Sequence, residues 1–134
     1  MTTGMRILVV EDDVLILTML TGILQAAGYE VLTGRDGAEG LSRARAEQPD
    51  LILLDVMMPK LDGFKVARLL KSDRNYSHIP IIILTAKAGA SDAELARQAG
   101  ADCYLVKPVD ADVLIEHVRH LLGGMPEASP GESR

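Results

Sequence analysis

The stretch Leu51-Ile52-Leu53-Leu54-Asp55 decides how this 134-residue chain folds and indicates where its chemistry lies. Four consecutive apolar residues are typical of a strand that is buried on both faces, as the strands of parallel sheets are. Because an unpaired carboxylate is expensive to bury, we expect Asp55 to lie at the carboxyl end of this strand, beside partner groups. Other parts of the sequence must then supply those partners.

Composition and charge limit the classes of protein to which the chain can belong. With 48% apolar residues, 134 residues are enough for one domain with a core. No apolar run approaches the ~20 residues that span a bilayer, and the N-terminus does not have the pattern of a signal peptide. The single cysteine, Cys103, excludes an internal disulfide. We therefore expect a cytoplasmic protein without membrane association, and the net charge of −5 argues against direct binding to nucleic acid.

Apolar patterns predict five strands that alternate with five helices. The strands are predicted at residues 6–10, 29–33, 51–55, 81–84 and 103–106. Capping boxes at Asp36/Glu39 and Ser91/Glu94 indicate two helix starts, and the last helix is predicted from about Asp110. This order predicts a doubly wound α/β domain with a parallel sheet and helices on both faces. The domain is expected to span residues 1–122, and residues 123–134, rich in Gly, Pro and Ser, to form a flexible tail or a truncated linker.

Four of the five predicted strands are followed at once by a group capable of chemistry. These groups are Glu11 and Asp12 after the first strand, Asp55, Thr85 and Lys107. Doubly wound sheets bind ligands beyond the carboxyl ends of their strands, at the point where the strand order reverses. The predicted topology therefore gathers all of these groups at one rim of the sheet.

The residue types at this rim suit phosphoryl transfer. Carboxylates placed together repel one another unless a cation joins them, and Mg²⁺ accepts a few carboxylate oxygens while leaving room for a phosphate oxygen. An aspartate can attack phosphorus and form an aspartyl phosphate. Lys107 would neutralise phosphoryl oxygens, and the Thr85 hydroxyl would donate a hydrogen bond to them. Together these groups make a complete site for accepting a phosphoryl group.

The chain resembles the receiver domains of the response-regulator family, the phospho-accepting half of two-component signalling. The resemblance covers residues 5 to about 122, and its motifs occur in the family's order. It implies a flavodoxin-like (βα)5 fold with the strand order 2-1-3-4-5. The motifs are Ile7-Leu8-Val9-Val10-Glu11-Asp12-Asp13, Leu53-Leu54-Asp55-Val56-Met57-Met58-Pro59, Asp62-Gly63, Leu84-Thr85-Ala86, Gly100-Ala101 and Lys107-Pro108. Each motif is weak alone, but the ordered set is highly specific.

The resemblance implies a role for each rim residue. Asp55 would be the phosphoacceptor, Asp12 a direct metal ligand and Glu11 an acid that acts partly through water. The backbone carbonyl of Met57 would complete the protein ligands of Mg²⁺. Lys107 would be the phosphate-binding cation, and the resemblance also implies a cis bond between it and Pro108.

Three residues keep an alternative interpretation. The resemblance implies that Thr85 is the switch hydroxyl and Tyr104 the switch aromatic, yet Thr85 could cap a loop and Tyr104 could be ordinary strand packing. Asp13 lies one residue past the acid pair, where it could simply cap the first helix.

The function implied by the resemblance is a phosphorylation-controlled switch rather than an enzyme, promoting only its own phosphorylation and dephosphorylation. The expected phosphodonor is a histidine kinase or a histidine phosphotransfer protein. Phosphorylation would change the surface of the fourth helix, fifth strand and last helix for a downstream protein. The chain is expected to be a monomer that could dimerise when phosphorylated.

Two other functions were compatible with the predicted architecture. A Mg²⁺-dependent aspartyl-phosphate phosphatase or phosphotransferase would use Asp55 in turnover, but the haloacid-dehalogenase type has a second aspartate where this chain has Met57. A flavin-binding electron carrier would need a phosphate-cradling loop after the first strand, where this chain has acids.

Overall fold

The computed structural model describes residues 4–56, 62–86 and 90–123. Its five strands are β1 (Arg6–Val10), β2 (Glu30–Gly34), β3 (Leu51–Asp55), β4 (Ile81–Thr85) and β5 (Cys103–Val106). Its five helices are α1 (Val14–Ala26), α2 (Gly37–Glu47), α3 (Gly63–Lys71), α4 (Ala90–Gln98) and α5 (Ala111–Gly123). Within these ranges no helix is both long enough and apolar enough to cross a bilayer.

All five strands are parallel and lie in the order β2-β1-β3-β4-β5, which confirms the predicted topology. The order reverses between β1 and β3, because the chain builds β2 on one side of β1 and all later strands on the other. In the register of this pair, Val10 lies opposite Leu54. The residues that follow them, Glu11 and Asp55, are therefore at the crevice where doubly wound sheets bind ligands.

Two apolar layers cover the sheet. On one face, α2, α3 and α4 pack on side chains such as Leu54 and Ile83. On the other face, α1 and α5 pack on side chains such as Val9 and Leu53. The β3 strand is fully buried on both faces, as its run of four apolar residues predicted.

The two predicted capping boxes have different outcomes. Asp36 is the N-cap of α2, as predicted, and accepts a hydrogen bond from the Glu39 backbone N–H at 2.8 Å; the Glu39 carboxylate in turn accepts one from the Arg35 backbone N–H at 2.7 Å. The α4 helix begins at Ala90, so Ser91 lies inside the helix and is not its N-cap residue. The Ser91 prediction was wrong because the sequence pattern does not distinguish the cap position from the first turn.

Two aspartate side chains accept hydrogen bonds from backbone N–H groups at the amino edge of the sheet. Asp50, just before β3, accepts a hydrogen bond from Arg6 N–H at 2.8 Å through its side chain. Asp102, just before β5, accepts one from Ile81 N–H at 2.8 Å and also binds Lys71 Nζ at 2.8 Å. Each aspartate thus satisfies a donor at the start of the neighbouring strand, and Asp102 also ties the end of α3 to the sheet.

Candidate functional site

An acidic cluster lies at the carboxyl edge of the sheet, where β1 and β3 end. Glu11, Asp12 and Asp55 each offer a carboxylate oxygen, and these three oxygens all lie within 4.8 Å of one another. Glu11 and Asp55 are buried, with 1% and 2% of their surface exposed, whereas Asp12 is exposed. The cluster therefore has two buried carboxylates and a third that faces solvent.

Lys107 brings a positive charge into this cluster from the loop that follows β5. Its Nζ lies 2.9 Å from Asp55 Oδ1 and 3.1 Å from Glu11 Oε1. The Lys107–Pro108 peptide bond is cis, the geometry that the resemblance implied. Burial lowers the pKa of Lys107, but its contacts with Asp55 and Glu11 outweigh burial and hold that pKa above its usual value. Lys107 therefore remains a cation in this pocket at neutral pH.

Glu11 is held at both of its carboxylate oxygens. While Oε1 faces Lys107, Oε2 accepts a hydrogen bond from the Asp13 backbone N–H at 3.2 Å. Burial raises the pKa of Glu11; the bond from Asp13 opposes this rise, and the nearby charge of Asp55 adds to it. In the folded protein, burial and the charge of Asp55 therefore destabilise the ionised form of Glu11.

Strand alternation explains why these groups converge. The last apolar residues of three strands on the α1–α5 side of the sheet are Val9, Leu53 and Leu105. Because side chains alternate between the two faces, the residues two positions further along continue the same row. Those residues are Glu11, Asp55 and Lys107.

The donor set fits a hard divalent cation. Glu11 Oε1 and Asp55 Oδ1 are buried, and both face the single ammonium of Lys107 as ion pairs without completing a well-oriented hydrogen bond in the described part of the chain. One ammonium does not neutralise two buried carboxylates, and buried carboxylate oxygens beside a third acid are a natural ligand set for Mg²⁺, which prefers oxygen ligands. The predicted contribution of the Met57 carbonyl lies outside the described residues.

Asp12 and Asp13 have different environments, although they are neighbours in sequence. The Asp13 side chain accepts hydrogen bonds from the backbone N–H groups of Leu15 at 2.9 Å and Ile16 at 3.2 Å, so it is the N-cap of α1. Asp12 is the acid whose side chain lies beside Glu11 and Asp55. Of the two interpretations of Asp13, helix capping is the one that the structure supports.

Tyr104 lies on the opposite face of the sheet from the acidic row, whereas Thr85 lies at the same carboxyl edge as that row. Thr85 is buried at the end of β4, and its backbone carbonyl accepts a hydrogen bond from Lys107 N–H at 2.7 Å. Tyr104 is half-buried and packs on the layer covered by α2, α3 and α4. It also lines a cavity of about 230 Å³ between α4 and β5, whose other walls include Ala96 and Arg97.

An apolar surface of α1, not singled out by the sequence reasoning, borders the acidic cluster. Leu15 is 81% exposed, and Val14 and Met19 are 52% and 46% exposed. Next to them, Met19 and Pro108 line a cavity of about 200 Å³ between α1 and the loop after β5. The signal was present in the sequence, because α1 contains no charged residue although it directly follows three acids.

Comparisons with known proteins agree with this fold and site. Residues 7–119 match the model of the response regulator receiver domain. The chain is 38% identical over 117 residues to the polar-differentiation response regulator DivK of Brucella ovis, which covers 87% of this chain and 95% of that protein.

Solved structures of receiver domains are also similar to this chain. The signal receiver domain of a signal transduction histidine kinase from Syntrophus aciditrophicus has a TM-score of 0.86 at 35% identity, covering 93% of this chain and 95% of that one. The receiver domain of sensor histidine kinase PA1611 from Pseudomonas aeruginosa has a TM-score of 0.84 at 34% identity, covering 91% and 100%. That structure has a magnesium ion coordinated in its active site cleft.

Proposed function

The chain belongs to the response regulator receiver domain family, and from that premise we propose that it is a phosphorylation-controlled switch whose phosphoacceptor is Asp55. The observation that carries the proposal is the contact of Lys107 Nζ with both Glu11 and Asp55, at 3.1 and 2.9 Å, inside a cluster of three acids. A nucleophilic carboxylate, a fixed cation and a set of metal ligands are the parts that phosphoryl transfer to an aspartate needs.

The proposed reaction moves a phosphoryl group from a phosphohistidine of a histidine kinase or phosphotransfer protein to Asp55. An Asp55 carboxylate oxygen forms the new bond to phosphorus as the bond from phosphorus to the imidazole nitrogen breaks. The imidazole leaves with the electron pair and then takes a proton from solvent. The ammonium of Lys107 is already beside Asp55, so it can neutralise a phosphoryl oxygen without further reorganisation.

Glu11, Asp12 and Asp55 are the described residues that would hold Mg²⁺, and the bound ion would supply positive charge to the phosphoryl oxygens. The need for such a charge follows from the electrostatics of the pocket. Among the described residues, one ammonium faces two buried carboxylates and an exposed one, so this group of side chains carries an excess of negative charge that would repel a phosphoryl group.

We further propose that the phosphodonor contacts the exposed apolar residues of α1. A donor must bring its phosphohistidine to the carboxyl edge of the sheet, and it therefore covers the surface that borders Asp12. Val14, Leu15 and Met19 offer that donor an uncharged apolar contact. Burial of such side chains stabilises a complex by roughly 25 cal/mol per Å² of apolar surface before the entropy of association is subtracted.

The proposed output of the switch is the surface of α4, β5 and α5, which would bind a downstream protein. Phosphorylation of Asp55 would draw the Thr85 hydroxyl toward the new charge, and Tyr104 would move with it. The half-buried position of Tyr104 supports this proposal, because its ring packs on the layer that α4 covers and a movement of the ring would change the surface of α4 and β5. Such a switch biases two arrangements of one surface by a local change of charge.

The test is stoichiometric labelling by acetyl phosphate, followed by the mass of the intact chain. With Mg²⁺ present, the wild-type protein should gain one phosphoryl group, and it should gain none when the metal is chelated. The Asp55→Asn variant should gain none under either condition. Asp73→Asn, which changes an aspartate at the other edge of the sheet, is the matched control and should be labelled like the wild type.

Labelling of Asp55→Asn to the wild-type level would contradict the assignment of the phosphoacceptor. Rapid release of inorganic phosphate without accumulation of the labelled protein would contradict the switch and favour a phosphatase. We also propose that residues 1–122 form the receiver unit, and that the unphosphorylated form is a monomer. Sedimentation of the labelled and unlabelled protein tests the oligomeric state directly.

A further inference from the structure

The first turn of α3 lies directly on the backbone that carries Asp55. A Cβ atom built on Gly63 would lie 2.4 Å from the Asp55 carbonyl oxygen and 2.8 Å from Val56 Cα. Both neighbours are backbone atoms, so neither could rotate away as the end of a flexible side chain does. The Gly63 backbone N–H also donates to the Val56 carbonyl, at 3.4 Å. The α3 helix therefore begins in close contact with the peptide group of the proposed phosphoacceptor.

The strand cannot easily yield at this contact. β3 is the central strand of the sheet, it is fully buried, and it pairs with β1 and β4. Beyond its end, the Val56 backbone N–H still donates to the Leu84 carbonyl at 3.2 Å. A displacement of the Asp55–Val56 segment would break its pairing with β4.

The helix is also fixed on its own side. Asp62 caps α3 by accepting a hydrogen bond from the Lys65 N–H at 3.0 Å. Val66, Ala67 and Leu70 of α3 are buried against the sheet. A side chain at position 63 would therefore either push the first turn of α3 outward or tilt the Asp55–Val56 peptide, and each change alters the backbone beside the nucleophile.

We propose that Gly63 is a positioning residue for phosphoryl transfer: because it has no side chain, α3 rests on the Asp55–Val56 backbone and thereby sets the place of the Asp55 carboxylate in the acidic cluster. This inference rests on the proposed function of Asp55. Transfer to phosphorus requires a well-placed nucleophile, and a misplacement of about 1 Å can reduce a rate about 100-fold. Asp55 is also a proposed ligand of Mg²⁺, so the same displacement weakens metal binding.

The experiment compares Gly63→Ala with two other glycine-to-alanine variants in the full chain. Gly22 lies inside α1, and a Cβ there meets nothing within 4 Å, so Gly22→Ala is a control without a steric conflict. Gly100 has a φ of +87°, and a Cβ there lies 3.1 Å from Lys71 Cβ at the opposite edge of the sheet. Gly100→Ala should therefore destabilise the fold without touching the site.

Three quantities are measured for each variant: the urea midpoint of unfolding, the Mg²⁺ dissociation constant by calorimetry, and the rate of labelling by acetyl phosphate at saturating Mg²⁺. In Gly63→Ala the labelling rate should fall at least about tenfold and the dissociation constant should rise at least about threefold. Gly100→Ala should have a lower midpoint but a wild-type dissociation constant and labelling rate, and Gly22→Ala should match the wild type in both.

A folded Gly63→Ala protein with the wild-type dissociation constant overturns the proposal, because a purely structural glycine moves the midpoint alone. If Gly63→Ala does not fold, it is repeated in the Gly22→Ala background, which should be more stable because Ala favours a helix interior. Failure to fold there also overturns the proposal and makes Gly63 a requirement of the fold. If the wild-type chain neither binds Mg²⁺ nor takes up label, the proposed function itself has failed.

Discussion

Lys107 Nζ lies 2.9 Å from Asp55 Oδ1, so the loop after β5 reaches across β4 to the end of β3. The same nitrogen lies 3.1 Å from Glu11 Oε1, at the end of β1. One ammonium thus joins carboxylates from two neighbouring strands while its own strand is separated from both. This contact offsets part of the negative charge of the acidic cluster.

Removing the ammonium should impair phosphoryl uptake more than metal binding. In Lys107→Met the stem is retained but the charge is lost, so labelling by acetyl phosphate at saturating Mg²⁺ should slow at least about tenfold. The Mg²⁺ dissociation constant should stay equal or fall, because Lys107 and the metal approach the same oxygens. Lys65→Met, an exposed lysine on α3, is the control for loss of one positive charge. Equal labelling rates in the two variants would remove Lys107 from the mechanism.

Neutralising Glu11 should stabilise the metal-free protein. Burial raises the pKa of Glu11, and the charge of Asp55 contributes to the rise, so the folded state favours the neutral form. Glu11→Gln, measured by urea unfolding with a chelator present, should raise the free energy of unfolding at pH 7. Destabilisation by the amide would show that the Lys107 contact outweighs burial and repulsion.

The same shift makes the effect of Glu11→Gln depend on pH. A carboxyl group whose pKa is higher in the folded state than in the unfolded state stabilises the fold when the pH is below its unfolded-state pKa. That contribution is lost as the pH rises through its folded-state pKa. The stability gap between Glu11→Gln and wild type should therefore be small below pH 4.5, grow as the pH rises above it, and then level off. Glu116→Gln, on the exposed face of α5, corrects for the change in net charge. A stability difference between Glu11→Gln and wild type that shrinks with rising pH would contradict this prediction.

The two adjacent aspartates should separate metal binding from helix capping. Asp13→Ala removes the N-cap of α1 and should lower the free energy of unfolding by about 1 kcal/mol, with little change in the Mg²⁺ dissociation constant. Asp12→Ala should weaken Mg²⁺ binding at least about tenfold without that loss of stability, because its side chain is exposed. Calorimetry and urea unfolding on the same samples measure both quantities. The reverse pattern would exchange the two roles.

The aspartate before β5 should matter for stability and not for chemistry. Asp102→Ala leaves the Ile81 N–H without its acceptor and Lys71 without its anion, and it should lower the free energy of unfolding by about 2 kcal/mol. Asp102→Asn retains an oxygen that can accept from Ile81 N–H, so it should lower the free energy of unfolding by less than Asp102→Ala does. Both variants should be labelled by acetyl phosphate at the wild-type rate, since the change lies at the opposite edge of the sheet. A slow labelling rate in Asp102→Asn would indicate coupling between the two edges.

The sequence alone determined the positions of the strands well, because each strand is a short buried run with clear boundaries. β3 and β5 have the bounds that their apolar runs predicted, and β2 is shifted by one residue, to Glu30–Gly34. Helix starts were less certain, as Ser91 shows, since serine is favoured at the cap and tolerated in the first turn. Local preference distinguishes such neighbouring positions by only a few tenths of a kcal/mol to about 1 kcal/mol.

The residue types at the carboxyl edge, and therefore the class of chemistry, could also be inferred from the sequence, because polar groups that directly follow buried strands must emerge at one rim. Only the tertiary structure decided which acid caps α1 and which joins the cluster, since Asp12 and Asp13 differ in orientation and not in type. It alone revealed that α3 rests on the backbone of Asp55 at Gly63, because that contact depends on the distance between two elements. Sequence patterns show which elements follow one another along the chain and which of their faces are buried. The distance between two elements depends instead on how the packed side chains fill the space between them.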